Sequence, residues 1–166
     1  MDYKYYERKL NDIIMKCPIE AGVEILIYNV LDNIVESKGL SLVDINRLHK
    51  KQDPRLTTDA GVADIAILSS DFQYKTDIGH VLGFIEVKAT SKSLSETEQI
   101  EGQKSATKHY IYTNGLVWKY YKNHKFEWEV FLDESKRTLI YNAIKISVSE
   151  NEFTDLLTKL NNIIWI

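Results

Sequence analysis

Two short apolar runs, each interrupted by charge, constrain this chain more than any other feature. The first is Gly61-Val62-Ala63-Asp64-Ile65-Ala66-Ile67-Leu68, and the second is Val81-Leu82-Gly83-Phe84-Ile85-Glu86-Val87-Lys88-Ala89. Both read as strands. Strands that are apolar at nearly every position are usually covered on both faces. A charge inside such a strand is costly unless it is paired or bound to a cation. Yet Asp64 lies in one run, and Glu86 and Lys88 lie in the other. Strand alternation sets Glu86 and Lys88 on one face, about 7 Å apart. The polar stretch 69–80 reads as a long turn, and an antiparallel hairpin centred near Lys75 sets Asp64 opposite Glu86, with Cβ atoms about 5 Å apart. Two carboxylates so close repel, and one tends to hold a proton. A hard divalent cation removes that conflict, since Mg2+ is commonly held by one or two carboxylates and keeps water for chemistry. The pattern therefore predicts a metal seat with an ammonium beside it. The plainer alternative is a solvated hairpin with a cross-strand ion pair, and the apolar neighbours Ile65, Ile67, Phe84, Ile85 and Val87 weigh against it.

The remaining segments supply layers to cover those strands. The spacing of Val23, Leu26, Ile27, Val30, Leu31 and Ile34 predicts a helix from Pro18 to about Ser37, with Pro18 in its first turn and Gly39 at its stop. Residues 38–61 are polar and basic, with Lys38, Arg47, Lys50, Lys51 and Arg55, and read as a loop or a loop with a short helix at 42–48. A Ser95-x-x-Glu98 capping box predicts a helix to about Lys108. His109 to Thr113 reads as a strand, Asn114-Gly115 as a type I′ turn, and 116–121 and 126–131 as further strands. Leu139 to Val148 is a strand or an irregular segment. A second box, Ser149-x-x-Glu152, opens a last helix with Phe153, Leu156, Leu157 and Leu160 on its inner stripe. The order α, β-β, α, β-β-β, α predicts an α/β fold, a mixed β-sheet flanked by helices, in one domain over residues 1–166.

Composition narrows the partners. Lys and Arg number 21 against 24 Asp and Glu, a formal charge of −3, so no bulk positive field is available to hold nucleic acid; a local basic patch or metal ions would be needed. Cys17 is the only cysteine, which excludes an intrachain disulfide and a cysteine-based zinc cage. The first residues do not have the form of a signal peptide, and the apolar stretch Ile25-Leu26-Ile27-Tyr28 breaks at Asn29, so the expectation is a cytoplasmic chain with no membrane span.

Gly61-Val62-Ala63-Asp64 followed after a turn by Glu86-Val87-Lys88 resembles the PD-(D/E)XK nuclease superfamily. Glu86-Val87-Lys88-Ala89, then Gln99, then Tyr110-Ile111-Tyr112-Thr113-Asn114-Gly115-Leu116-Val117-Trp118-Lys119-Tyr120-Tyr121 is similar to the N-terminal nuclease domain of type I restriction-enzyme motor subunits. The likeness runs from about Glu24 to Tyr121. It implies a restriction-endonuclease-like core and a Mg2+-dependent DNA endonuclease, with Mn2+ able to substitute, in a restriction, defence or mobile-element setting. It implies that Asp64 and Glu86 are metal ligands and that the Val87 carbonyl is a further donor. Lys88 would orient or activate the attacking water or stabilise charge on the phosphate. Gln99 would help position the lysine or the substrate backbone. Glu24 matches the first-helix carboxylate that often completes such sites, with Glu20 one turn earlier as its competitor. The proline usual before the first acid is Ala63 here. Nothing resembling a motor or specificity domain is present, so the resemblance implies DNA as substrate together with a homodimer or a motor or specificity subunit as partner. The alternative it leaves open is a catalytically silent domain of the same fold that binds nucleic acid or another protein; such a domain would be expected to have lost one of Asp64, Glu86 and Lys88.

Overall fold

Period-two alternation along the central strands sorts their side chains onto two faces, and the architecture follows from how each face is covered. The computed structural model describes residues 1–49 and 52–166, so Lys50 and Lys51 of the basic segment lie outside the described residues. Four helices and six strands are present among them: α1 (Tyr3–Lys16), α2 (Glu20–Glu36), β1 (Ser41–Asp44), β2 (Ile65–Leu68), β3 (Val81–Val87), α3 (Glu98–Ser105), β4 (His109–Thr113), β5 (Val117–Lys122), β6 (Lys125–Phe131) and α4 (Glu150–Asn161). The strands lie in one mixed sheet in chain order. All neighbours are antiparallel except β3 and β4, which are parallel and joined through α3.

Ile65, Ile67, Ile85, Val87, Ile111, Trp118 and Tyr120 point to the face covered by α1, α2 and α4, and form the larger core. Ala66, Leu68, Phe84, Tyr110, Tyr112 and Tyr121 point to the other face, where Ile100 of α3 and Ile45, Leu56 and Ala63 of the loops cover them. Glu86, at an even position of β3, belongs to this second face, and Asp64 lies one residue before β2. A fully buried Ile or Leu contributes roughly 1.5–3 kcal/mol through its apolar surface, so the sheet is held chiefly by the first face. The result is a mixed α/β fold consistent with a restriction-endonuclease-like core.

Four expectations change. An extra helix, α1, precedes the one the periodicity marks. Asp2 caps it through Tyr5 N–H, and Tyr6, Leu10 and Ile14 recur at helical spacing on its buried side. The helix expected from Pro18 starts at Glu20, because Cys17 and Ile19 close a short turn before it. Part of the basic loop is the edge strand β1: only Leu42 of its four residues is buried, so no local alternation betrayed it, and pairing with β2 makes the strand. The type I′ turn falls at Asn123-His124, both with positive φ (49° and 66°), where β5 turns into β6. At Asn114-Gly115 only the glycine has positive φ. Asn114 is fully buried, and its Oδ1 accepts from the N–H groups of Leu116 and Val117. A Cβ on Gly115 would press on Leu10 and Val23 at 3.2 and 3.3 Å.

Helix α3 also departs from its expected cap. Thr97, not Ser95, accepts from Ile100 N–H. Glu96 is drawn instead into contact with Lys104 and Tyr121, which keeps the chain out of helix until after it. Segment 139–148 is irregular apart from one bridge, Asp133 to Val148. Ser149 caps α4 as expected by accepting from Glu152 N–H. No helix among the described residues is long and apolar enough to cross a membrane.

Candidate active site

The hairpin register is the one the sequence predicts. Ile65 pairs with Ile85, Ala66 with Phe84 and Ile67 with Gly83, and Asp64 N–H donates to the Ile85 carbonyl at 3.2 Å, one step beyond the paired residues. Asp64 and Glu86 thus meet at the end of the hairpin, 8% and 2% exposed. The Asp64 carboxylate turns along the sheet, and its Oδ2 accepts from Val87 N–H at 2.6 Å. Glu86 Oε1 accepts from Lys88 Nζ at 2.5 Å, while Glu86 Oε2 is buried with no hydrogen-bond partner among the described residues.

Helix α2 brings two more carboxylates to the same corner. Carboxylate oxygens of Glu20, Glu24 and Asp64 lie within 4.8 Å of one another. Glu20 is the first residue of α2, where unpaired N–H groups favour negative charge, and Glu24 lies one turn further along. Asn46, in the loop after β1, donates from Nδ2 to Glu24 Oε2 at 2.9 Å and fixes that side chain.

Crowding of acids sets the protonation. Burial is the first cause that lifts Asp64 well above the usual carboxylate range; the Glu86 charge adds to it, and the Val87 N–H bond opposes it. Burial also raises Glu86, against the pull of Lys88. Glu24 is raised by burial, with Asn46 opposing and Glu20 and Asp44 adding. Burial alone would lower the Lys88 ammonium, but the Glu86 carboxylate outweighs it and the net shift is upward. Glu20, Glu24 and Asp64 together offer an all-oxygen donor set that fits a hard divalent cation, and the unpartnered buried Oε2 of Glu86 belongs to the neighbouring strand.

The structure gathers the carboxylates of Asp64 and Glu24 with that of Glu20, and sets the Glu86–Lys88 ion pair beside them, where the Glu86 charge acts on Asp64. Val87 contributes its N–H to Asp64. Gln99 is exposed on α3, against Gly61. One turn further, Gln103 is fully buried on the face that carries Glu86 and accepts from the Tyr110 hydroxyl at 2.6 Å. Gly102 lets α3 come this close: a Cβ there would stand 2.2 Å from that of Ala60. Of the lysines that could contact a phosphate backbone, Lys104 is buried between Glu96 and Glu101 over the Tyr121 ring, and Lys108 donates to the Ile166 carbonyl. Lys119 pairs across from Tyr112, which pairs with Glu86, so it stands on the site face.

The fold is a mixed α/β one consistent with a restriction-endonuclease-like core, with a carboxylate cluster and a lysine at the end of its central hairpin. Among solved structures, a chain in a cryoEM structure of a DrdV–DNA complex is similar to this one. It aligns with a TM-score of 0.61 at 15% identity, over 97% of this chain and 96% of that one. At such identity the likeness shows the fold alone. No family model matches the sequence. No curated protein matches it either.

Proposed function

We propose that this chain is a Mg2+-dependent endodeoxyribonuclease that hydrolyses phosphodiester bonds in a restriction, defence or mobile-element setting. The observation that carries the reading is the buried pair Asp64 and Glu86, crowded by Glu20 and Glu24 and answered by one lysine, Lys88. Carboxylates buried with less than a full set of positive partners destabilise a fold, and a bound cation would account for their retention. DNA as the partner is supported by the fold shared with the DrdV–DNA complex. A homodimer or a motor or specificity subunit would complete substrate selection.

Asp64, Glu86 and Glu24 would hold Mg2+, or Mn2+ in its place, with the Val87 carbonyl as a further donor. The ion would lower the pKa of a bound water and offset charge on the scissile phosphate. The residues of the chain do the rest. Val87 N–H and Asn46 fix the directions of Asp64 and Glu24. Glu86 holds the Lys88 ammonium at the mouth of the site, with a side chain 25% exposed, within reach of a phosphate or of the attacking water. The water oxygen would form a new bond to phosphorus and give up its proton to solvent as one P–O bond breaks, and the departing oxygen would take a proton from solvent.

The test is plasmid nicking and cleavage of linear, branched and single-stranded DNA with Mg2+ or Mn2+, beside calorimetric titration of Mn2+. Wild type should cleave. Lys88→Ala should bind Mn2+ like wild type and not cleave. Cleavage by Lys88→Ala at the wild-type rate would refute the lysine's role. Absence of Mn2+ heat in wild type would refute the metal reading.

A further inference from the structure

Gln103 and Tyr110 sit behind the carboxylate cluster, and neither belongs to the set the sequence singled out. Gln103 is 0% exposed on α3, and Tyr110, at 1%, lies on β4 beside Phe84 of β3. The Tyr110 hydroxyl donates to Gln103 Oε1 at 2.6 Å. That bond decides which way the amide points: Oε1 faces the tyrosine, so Nε2, the donor end, faces away from it. Gln103 Nε2 makes no hydrogen bond among the described residues, and neither does Glu86 Oε2. Each is buried, one is a donor and the other an acceptor, and Tyr110, which holds Gln103, lies on the strand paired with that of Glu86 and on the same face. A buried donor and a buried acceptor each bear a desolvation penalty of about 1–3 kcal/mol when left apart, which is a standing force drawing them together.

We propose that Tyr110 and Gln103 form a positioning relay for Glu86: the phenol sets the orientation of the amide, and the amide aims Glu86 Oε2 toward the carboxylate cluster. The inference rests on the metal-site reading and deepens it. A carboxylate oxygen has two lone pairs, so one can receive the amide while the other faces the cation. Partners behind a metal ligand orient it in this way and typically change metal affinity 10- to 100-fold when removed. The scaffold of the relay is rigid. Lys104, the next residue, is clamped by Glu96 and Glu101 over the Tyr121 ring. The Tyr110 ring packs with Tyr112 and Tyr121.

The test uses full-length wild type, Tyr110→Phe and Gln103→Leu, with Gln103→Glu as a variant that keeps the acceptor for Tyr110 but loses the donor for Glu86. Two readouts apply: the Glu86 side-chain conformation in metal-free crystals, and Mn2+ affinity by calorimetry. In Tyr110→Phe, which keeps the ring in place, Glu86 should occupy more than one rotamer, and Mn2+ should bind about tenfold more weakly with thermal stability nearly unchanged. Gln103→Leu and Gln103→Glu should weaken Mn2+ further. An unmoved Glu86 with unchanged Mn2+ affinity in Tyr110→Phe would overturn the relay. Should Gln103→Leu fail to fold, Tyr110→Phe decides alone. Should wild type bind no Mn2+, the metal reading fails, and the relay is judged by the Glu86 rotamer: scattered supports it, unmoved overturns it.

Discussion

Two kinds of buried carboxylate occur in this molecule. Asp53, 1% exposed, is clasped by Arg55: Nε and Nη2 donate at 3.2 and 3.0 Å, and Lys75 N–H adds a bond at 2.8 Å. Asp133, fully buried, is clasped by Arg137 in the same forked manner. The Arg55 bonds are the main reason that Asp53 falls to about 2. Burial works against the Asp133 charge, and Arg137 outweighs it. Asp64 and Glu86 have no arginine. Their neighbours are other acids and one shared lysine, and burial raises both. A buried acid with a complete complement is architecture: Asp53 ties loop 69–80 to the chain before β2, helped by Arg55 bonds to the Gln73 and Ile78 carbonyls. A buried acid left short of a complement is, under the proposed function, where a cation would bind.

The contrast can be broken in three ways. Glu86→Ala should abolish Mn2+ binding and DNA cleavage, a loss of at least about 100-fold, while leaving the fold intact, because no clasp depends on it. Retained cleavage would erase the distinction between the two kinds of acid. Arg55→Ala should do the reverse. It leaves Asp53 buried without its partner, should lower unfolding free energy by about 3 kcal/mol in urea titration, and should leave Mn2+ affinity near wild type. The smallest effect sharpens the contrast most. Asp64→Asn in metal-free protein should raise stability by about 1 kcal/mol at neutral pH, since the amide needs no desolvated charge and still accepts from Val87 N–H.

The same pair predicts opposite pH slopes, readable by thermal melts of the Asp64→Asn variant beside wild type. Asp53 is depressed on folding, so its stabilisation is complete above its unfolded value near 4 and is lost as pH falls toward about 2. Asp64 is raised on folding. Its ionisation costs nothing below about pH 4, and the cost grows as pH climbs toward the folded value. Wild type should lose melting temperature as pH rises through that upper window, and Asp64→Asn should lose less, because only the raised Glu86 and Glu24 remain. Equal slopes in the two proteins would contradict the crowding described for Asp64.

Much of the site was readable before folding, and the reason is local. Alternation together with one fold-back centre is enough to bring Asp64 opposite Glu86, and the observed ladder keeps that register through Gly83 before slipping at Leu68. The cap of α4 lies within four residues and was equally plain. Helix α1 was legible in principle, since Asp2 and the spacing of Tyr6, Leu10 and Ile14 carry the signal. The cap of α3 moved because Glu96 answers Lys104 and Tyr121, partners no local pattern contains.

Which strands form, which residues of the hairpin meet, and that their acids would need help all follow from order along the chain, because strand geometry repeats every second residue and a turn reflects it. The burial of Gln103 rather than Gln99, the joining of Glu20 to Glu24 and the making of β1 do not follow from it. Each depends on how far one element sits from another distant in sequence, and that distance is set by close packing, down to the missing side chain of Gly102 against Ala60.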